Sequence, residues 1–296
     1  MRLDLPRMRT VEIDGPLCFR EWDGPADTTF VLVHGLGGSH VNWVQVAPGL
    51  AGLGRVIAPD LPGFGSTPRG ERGSGLMDQR RVLSRFIDAN ATGSVVLAGN
   101  SLGGLVAMLH AAVEPDRVAG LVLTSSPFLR VGKALPHPVA IAGFIAYDVP
   151  TLGPLLLDAR VRRLDAERTV RLGLRWLAAD PSSVPEQIVQ LPVDHVRERS
   201  LDPDAAAAFL DAWRSLRRLA RRPHFVRRAM DGVRCPVLVL HGRRDRLVPA
   251  AYAEAALREH QAWRGRIFPD LGHVPQMEAP GRWLAEVADW HAASVR

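Results

Sequence analysis

Short apolar runs of Val, Ile and Leu recur along the 296-residue chain, separated by stretches whose apolar positions return at helical intervals. A run without polar alternation predicts a strand covered on both faces, as in a parallel sheet. The clearest lie at residues 30–33, 56–58, 95–98, 121–124 and 237–240, and a further strand-like run spans 266–268. The clearest runs end in a Gly, Pro, Ser or His-Gly turn. In open α/β sheets ligands bind outside the carboxyl ends of the strands, so candidate chemistry is sought in those turns.

Between Ser126 and Gly232 the rhythm becomes helical, rich in Arg, Leu and Ala, with no convincing strand. The expected architecture is therefore a mostly parallel, doubly wound α/β sheet formed by residues 1–126 and 233–296, with residues 127–232 inserted as a helical cap. No internal repeat or low-complexity linker interrupts this plan.

Composition narrows the class without changing the fold. Hydrophobic residues at 47% and charged residues at 23% suit a globular chain with a large core. The first ten residues are basic but lead into no apolar run, which predicts a cytoplasmic protein rather than a secreted one. Cys18 and Cys235 stand far apart without a metal-binding spacing and read as buried free thiols. The net charge of +6 rests almost wholly on arginine, Lys133 being the only lysine. Such a balance attracts anions in general, but no helix-turn-helix, zinc or RNP pattern accompanies it, so no nucleic-acid partner is expected.

The candidate chemistry sits in the turns. The segment V-V-L-A-G-N-S-L-G-G-L-V-A-M-L-H runs from a strand through a glycine-flanked serine into a helix, the context a G-x-S-x-G nucleophile elbow requires. Gly99 and Gly103 permit a strained turn and close strand–helix approach. Ser101 is thereby set at a helix amino terminus, where free N–H groups favour an anion. Upstream, F-V-L-V-H-G-L-G-G-S can aim a backbone N–H at a developing oxyanion; the N–H groups of Leu36 and Leu102 are the expected pair. A serine also needs a base, itself oriented by a carboxylate. His273 in F-P-D-L-G-H-V-P and Asp245 in H-G-R-R-D-R-L-V-P complete the chain order serine, acid, histidine.

With those residues the chain resembles the α/β-hydrolase fold serine hydrolases that carry a helical lid. H-G-L-G-G-S, P-D-L-P-G-F-G-S, G-N-S-L-G-G, H-G-R-R-D-R-L-V-P and G-H-V-P-Q-M-E-A-P follow one another in the family's order. The resemblance implies nucleophile Ser101, acid Asp245, base His273 and oxyanion donors Leu36 and Leu102, with no metal or organic cofactor. It implies an esterase or lipase-like activity on a small, largely apolar acyl substrate. Haloalkane dehalogenases and epoxide hydrolases would need Asp at position 101. The C–C bond hydrolases of ring-cleavage products share the G-N-S elbow and are the alternative, although their catalytic His is followed by Trp where this chain has Val274. A hydrolase-like ligand-binding protein with slow turnover is the opposing class.

Other candidates have plainer readings. His34 and His241 precede glycines at strand ends, where an imidazole braces a loop. Asp270 is close enough to His273 for a local turn bond, and Asp60 is placed to fix a glycine-rich turn. Asn100 can either bond neighbouring loops or meet substrate. The apolar stretch 134–157, broken by prolines and Asp148, can line an acyl pocket or pack the cap onto the core. The arginine-rich stretch 214–228 reads as a solvated helix face, with an anionic ligand or a peripheral membrane contact as the alternative.

Overall fold

The computed structural model describes residues 5–128, 134–149, 151–163, 165–199, 202 and 204–295, so that Lys133 lies outside the described residues. Its core is one sheet of eight strands: β1 (Arg9–Glu12), β2 (Pro16–Trp22), β3 (Thr28–Val33), β4 (Arg55–Pro59), β5 (Ser94–Asn100), β6 (Gly120–Thr124), β7 (Val237–Gly242) and β8 (Arg264–Phe268). They lie in the order β1-β2-β4-β3-β5-β6-β7-β8. From β4 to β8 all neighbours are parallel, while β1–β2 and β2–β4 are antiparallel.

All six apolar runs fall inside strands. β6 and β7 are buried at every position, which explains why they carry almost no polar residue. The edge hairpin β1–β2 has no such signature, because β1 faces solvent along most of its length.

Helices cover both faces. On one side α2 (Leu76–Asn90) and α3 (Leu102–Val113) bury Leu83, Phe86, Leu105 and Val106 against Val31, Leu97 and Leu121. The short α1 (Ala47–Leu50) and the last helix lie on the other side, with Trp43, Trp283 and Trp290 fully buried.

Between β6 and β7 come α4 (Pro138–Asp148), α5 (Leu152–Arg163), α6 (Ala166–Leu177), α7 (Glu186–Arg199), α8 (Ala205–Ala220) and α9 (Pro223–Gly232). Val226, Ala229 and Met230 of α9 join the core cluster beside α3, so α9 belongs to the layer covering the sheet. The chain closes with α10 (Ala250–Glu259), α11 (Pro275–Glu278) and α12 (Pro280–Ser294). Among the described residues no helix is long and apolar enough to cross a membrane. Cys18 and Cys235 are free but half-buried, not fully buried as expected.

This topology positions the site. β4 pairs with one edge of β3 and β5 with the other, so the turns leaving β3 and β5 diverge at their carboxyl ends. That is the switch point where open α/β sheets form a crevice.

Candidate active site

At the end of β5 the backbone of Ser101 takes φ 54° and ψ −120°, a conformation that non-glycine residues rarely adopt. Its N–H donates to Thr124 O at 2.9 Å, which holds the turn to β6. Neighbouring glycines make the turn possible. A Cβ on Gly103 would lie 2.2 Å from Val33 O, and one on Gly99 2.5 Å from Gly103 O. The turn thus brings α3 against the strand end with Ser101 at its tip.

His273 follows β8, and its backbone is held from two directions. Its N–H donates to Leu177 O at 2.6 Å, and its carbonyl accepts from Asn100 Nδ2 at 3.2 Å. Asn100 also donates to Thr124 O at 3.2 Å, so this residue ties loops together. His273 Nδ1 donates to Asp245 Oδ2 at 2.7 Å. The other oxygen of Asp245 accepts the N–H groups of Leu247 and Val248 at 2.8 and 2.9 Å. Burial opposes ionisation of Asp245, but the charge and hydrogen bond of His273 and a hydrogen bond from His241 outweigh it. The carboxyl is held well below the usual carboxylate range.

Ser101 and His273 line the same cavity, of about 1370 Å³. Among the described residues no hydrogen bond joins the Ser101 side chain to His273. Such contacts commonly tighten only when substrate is bound. Leu36 also borders the cavity, whereas Leu102 is buried behind Ser101. Neither backbone N–H has a hydrogen-bond partner among the described residues. Gly35 completes this wall, since a Cβ there would sit 3.2 Å from Ser101 Cβ.

The rival residues are otherwise engaged. His34 donates from Nδ1 to Gly35 O at 2.8 Å and accepts Leu61 N–H on Nε2 at 3.0 Å, the brace expected of it. Asp60 accepts from His40 Nδ1 and from the backbone of His40 and Ser66. Asp270 forms a two-pronged surface pair with Arg282 at 2.7 and 3.0 Å, away from His273.

Glu278 and Arg246 had no clear sequence signal, and His241, expected to brace a loop, also reaches Asp245. His241 Nε2 lies 3.0 Å from Val248 O and 3.2 Å from Asp245 Oδ2, so it braces the Asp245 carboxylate itself. Glu278 accepts Gly272 N–H at 2.8 Å on one oxygen and Ala179 N–H at 2.7 Å on the other. Burial pushes its carboxyl up, while those N–H groups pull the other way. Arg246, one residue after Asp245, donates to Arg175 O and Ala178 O. The end of α6 is therefore bonded to the loops of both Asp245 and His273.

Most of the remaining cavity wall is apolar and comes from the inserted region: Leu135, Val139, Trp176, Leu177, Phe209 and Trp213 among others. The polar side chains on the wall include His195, which lies 3.2 Å through Nδ1 from Ser39 Oγ. Among the described residues no group of His, Cys, Asp and Glu is arranged to hold a metal ion.

Comparison with known proteins supplies an independent view. A family model described as the alpha/beta hydrolase fold matches residues 28–280. The chain is 30% identical over 283 residues to the dihydrolipoyllysine-residue acetyltransferase component of an acetoin cleaving system from Pseudomonas putida, covering 93% of this chain and 66% of that protein. It thus spans just under two thirds of that relative's length. Pimeloyl-[acyl-carrier protein] methyl ester esterase of Sodalis glossinidius is 30% identical, with 92% of this chain and 96% of that one covered. A 2-hydroxy-6-oxo-2,4-heptadienoate hydrolase of Pseudomonas putida is 29% identical, with 92% and 91% covered. Among solved structures, Cfl2 from Burkholderia cenocepacia superposes with a TM-score of 0.79 at 25% identity, over 96% of this chain and 95% of that one.

Proposed function

Since the chain belongs to the α/β hydrolase fold family, we propose that it is a serine hydrolase that cleaves a carboxylic ester of a largely apolar substrate through an acyl-enzyme. The observation that carries this reading is Ser101, strained at the tip of its turn, in one cavity with a His273 whose Nδ1 is held by buried Asp245.

In this mechanism Asp245 fixes the imidazole with Nδ1–H toward itself, leaving Nε2 to take the Ser101 proton as Oγ attacks the ester carbonyl. The resulting imidazolium is stabilised by the Asp245 carboxylate and then protonates the leaving alcohol. Water, deprotonated in turn by His273, releases the acid and restores Ser101. The N–H groups of Leu36 and Leu102, without partners among the described residues, are the proposed donors to the tetrahedral oxyanion. Each is assigned about 3 kcal/mol of transition-state stabilisation on the scale of comparable sites.

An ester of a largely apolar substrate is preferred to a C–C bond because the cavity wall is mostly apolar. Valine also follows His273, where the C–C hydrolases have tryptophan. Burial of each added CH₂ contributes about 0.8 kcal/mol, so kcat/KM should rise by up to about fourfold per methylene while the acyl chain stays within the cavity.

Hydrolysis of p-nitrophenyl esters of increasing chain length tests this, with Ser101→Ala and His273→Ala beside the wild type. The wild type should turn over and take a fluorophosphonate label, and Ser101→Ala should do neither. Absence of both in the wild type would defeat the enzyme reading, and turnover restricted to vinylogous 1,5-diketones would replace it with C–C bond hydrolysis.

A further inference from the structure

The large apolar side chains left in solvent are not scattered. Most belong to one stretch around α4 and α5: Leu135, Val139, Ile145, Val149, Leu152 and Leu155 are each more than two-fifths exposed, and Leu155 reaches 64%. Isolated exposed apolar residues are ordinary, but a contiguous set marks a surface that meets something.

Two further observations say what. Leu135 and Val139 are each 55% exposed yet also line the cavity that holds Ser101, so this apolar face adjoins the cavity. Beside it, Ile145 and Val149 share a recess with Asp148, Arg217 and Arg221. Arg217 is paired with Asp148, whereas Arg221 has no ion-pair partner among the described residues and is exposed. Arg218 and Arg222, equally exposed, follow the same helix end. An apolar face rimmed by unneutralised arginine suits a surface that is apolar within and anionic at its boundary. A second copy of the chain would bring the same positive rim against itself.

We propose that α4, α5 and the carboxyl end of α8 form a docking face for an anionic lipid surface, from which substrate reaches the cavity. Docking stands on the exposed face alone; only the delivery of substrate rests on the proposed ester hydrolysis.

The test is co-sedimentation of the full chain with vesicles of phosphatidylcholine alone and of phosphatidylcholine with phosphatidylglycerol. Ser101→Ala is run in parallel, so that binding is scored without turnover. Binding should favour the phosphatidylglycerol vesicles and weaken as salt is raised, since the arginine contribution is screened. Ile145→Asp combined with Leu155→Asp, both on solvent-facing positions outside the cavity wall, should reduce binding by about tenfold or more. Their hydrolysis of a soluble short-chain ester should stay within about twofold of wild type, which reports that the fold is intact. Equal or absent binding to both vesicles would overturn the proposal. So would a concentration-dependent dimer in light scattering that the same double substitution abolishes, which would assign the face to a second copy. Vesicle binding without ester hydrolysis would leave docking standing and defeat only the catalytic reading.

Discussion

At the scale of single residues, most of the candidate site could be read from the turns, because the proposed chemistry needs particular residues at short spacing. Gly99, Ser101 and Gly103 form a local pattern, and the steric reason for Gly103 is explicit: a Cβ there meets two backbone carbonyls at 2.2 and 2.3 Å. Gly103→Ala should therefore lower both the melting temperature and activity, as measured by thermal unfolding beside ester turnover. Chain order offered Asp245 as the candidate acid, but it did not show how His241, four residues before it, and the N–H groups of Leu247 and Val248, two and three residues after it, fold around the carboxylate. That environment has a pH signature. A carboxyl held below its ordinary value stabilises the fold above the unfolded pKa, near 4, and loses that contribution as pH falls further. Urea midpoints of wild type and Asp245→Asn should differ most at neutral pH and converge toward acid. At neutral pH the same substitution should lower kcat by about four orders of magnitude, as where a carboxylate fixes the histidine tautomer.

At the scale of elements, the inserted helices are more than a cover. The end of α6 accepts from His273 N–H and Arg246, while Glu278 receives N–H groups from both Ala179 and Gly272. Glu278 is thus a positioning residue that fixes the His273 loop against α6. A glutamine at this place has one acceptor oxygen and must set its NH₂ against an N–H, leaving one buried donor unsatisfied at about 1–3 kcal/mol. Glu278→Gln should reduce kcat by about tenfold with KM little changed, which steady-state kinetics separates from simple loss of folded enzyme. The helix α7 makes a second join, through His195 and Ser39. Burial first, then neighbouring His40, holds the His195 imidazole below its ordinary value, while Asp60 and Glu198 pull upward. The unfolded chain takes that proton more readily, so stability falls as pH drops through about 6.5. Proteolysis of the inserted helices should quicken near pH 5.5 in wild type and lose that dependence in His195→Gln. None of these joins was visible in the sequence, because a buried glutamate or histidine looks like a surface one until its long-range partners are placed. The same holds for β1, whose exposed polar residues carry no burial pattern, and for α9, whose helical rhythm does not say which layer it joins.

For the whole molecule, the mostly parallel sheet was legible because burial on both faces forces uniform apolar strands, and the strand order then brings distant turns to one crevice. What the sequence pattern could not separate were the two tasks of the inserted region. α6 and α7 pack into a core cluster through Leu174, Ile188 and Val189, while α4 and α5 carry the exposed apolar face. The division predicts that the two parts fail differently. Replacing residues 138–163 with a short glycine-serine linker removes α4 and α5 and with them Val139, Tyr147 and Leu157 from the cavity wall. The bonds from Leu177 and Ala179 to the His273 loop would be kept. Hydrolysis of the shortest p-nitrophenyl ester should then persist within about an order of magnitude, while the rise of kcat/KM with acyl length flattens, since each methylene no longer gains its roughly 0.8 kcal/mol of burial. A chain-length series on the excised and intact proteins would read this directly. An unaltered slope would show that acyl selectivity is set deeper in the core, beneath α6 and α7.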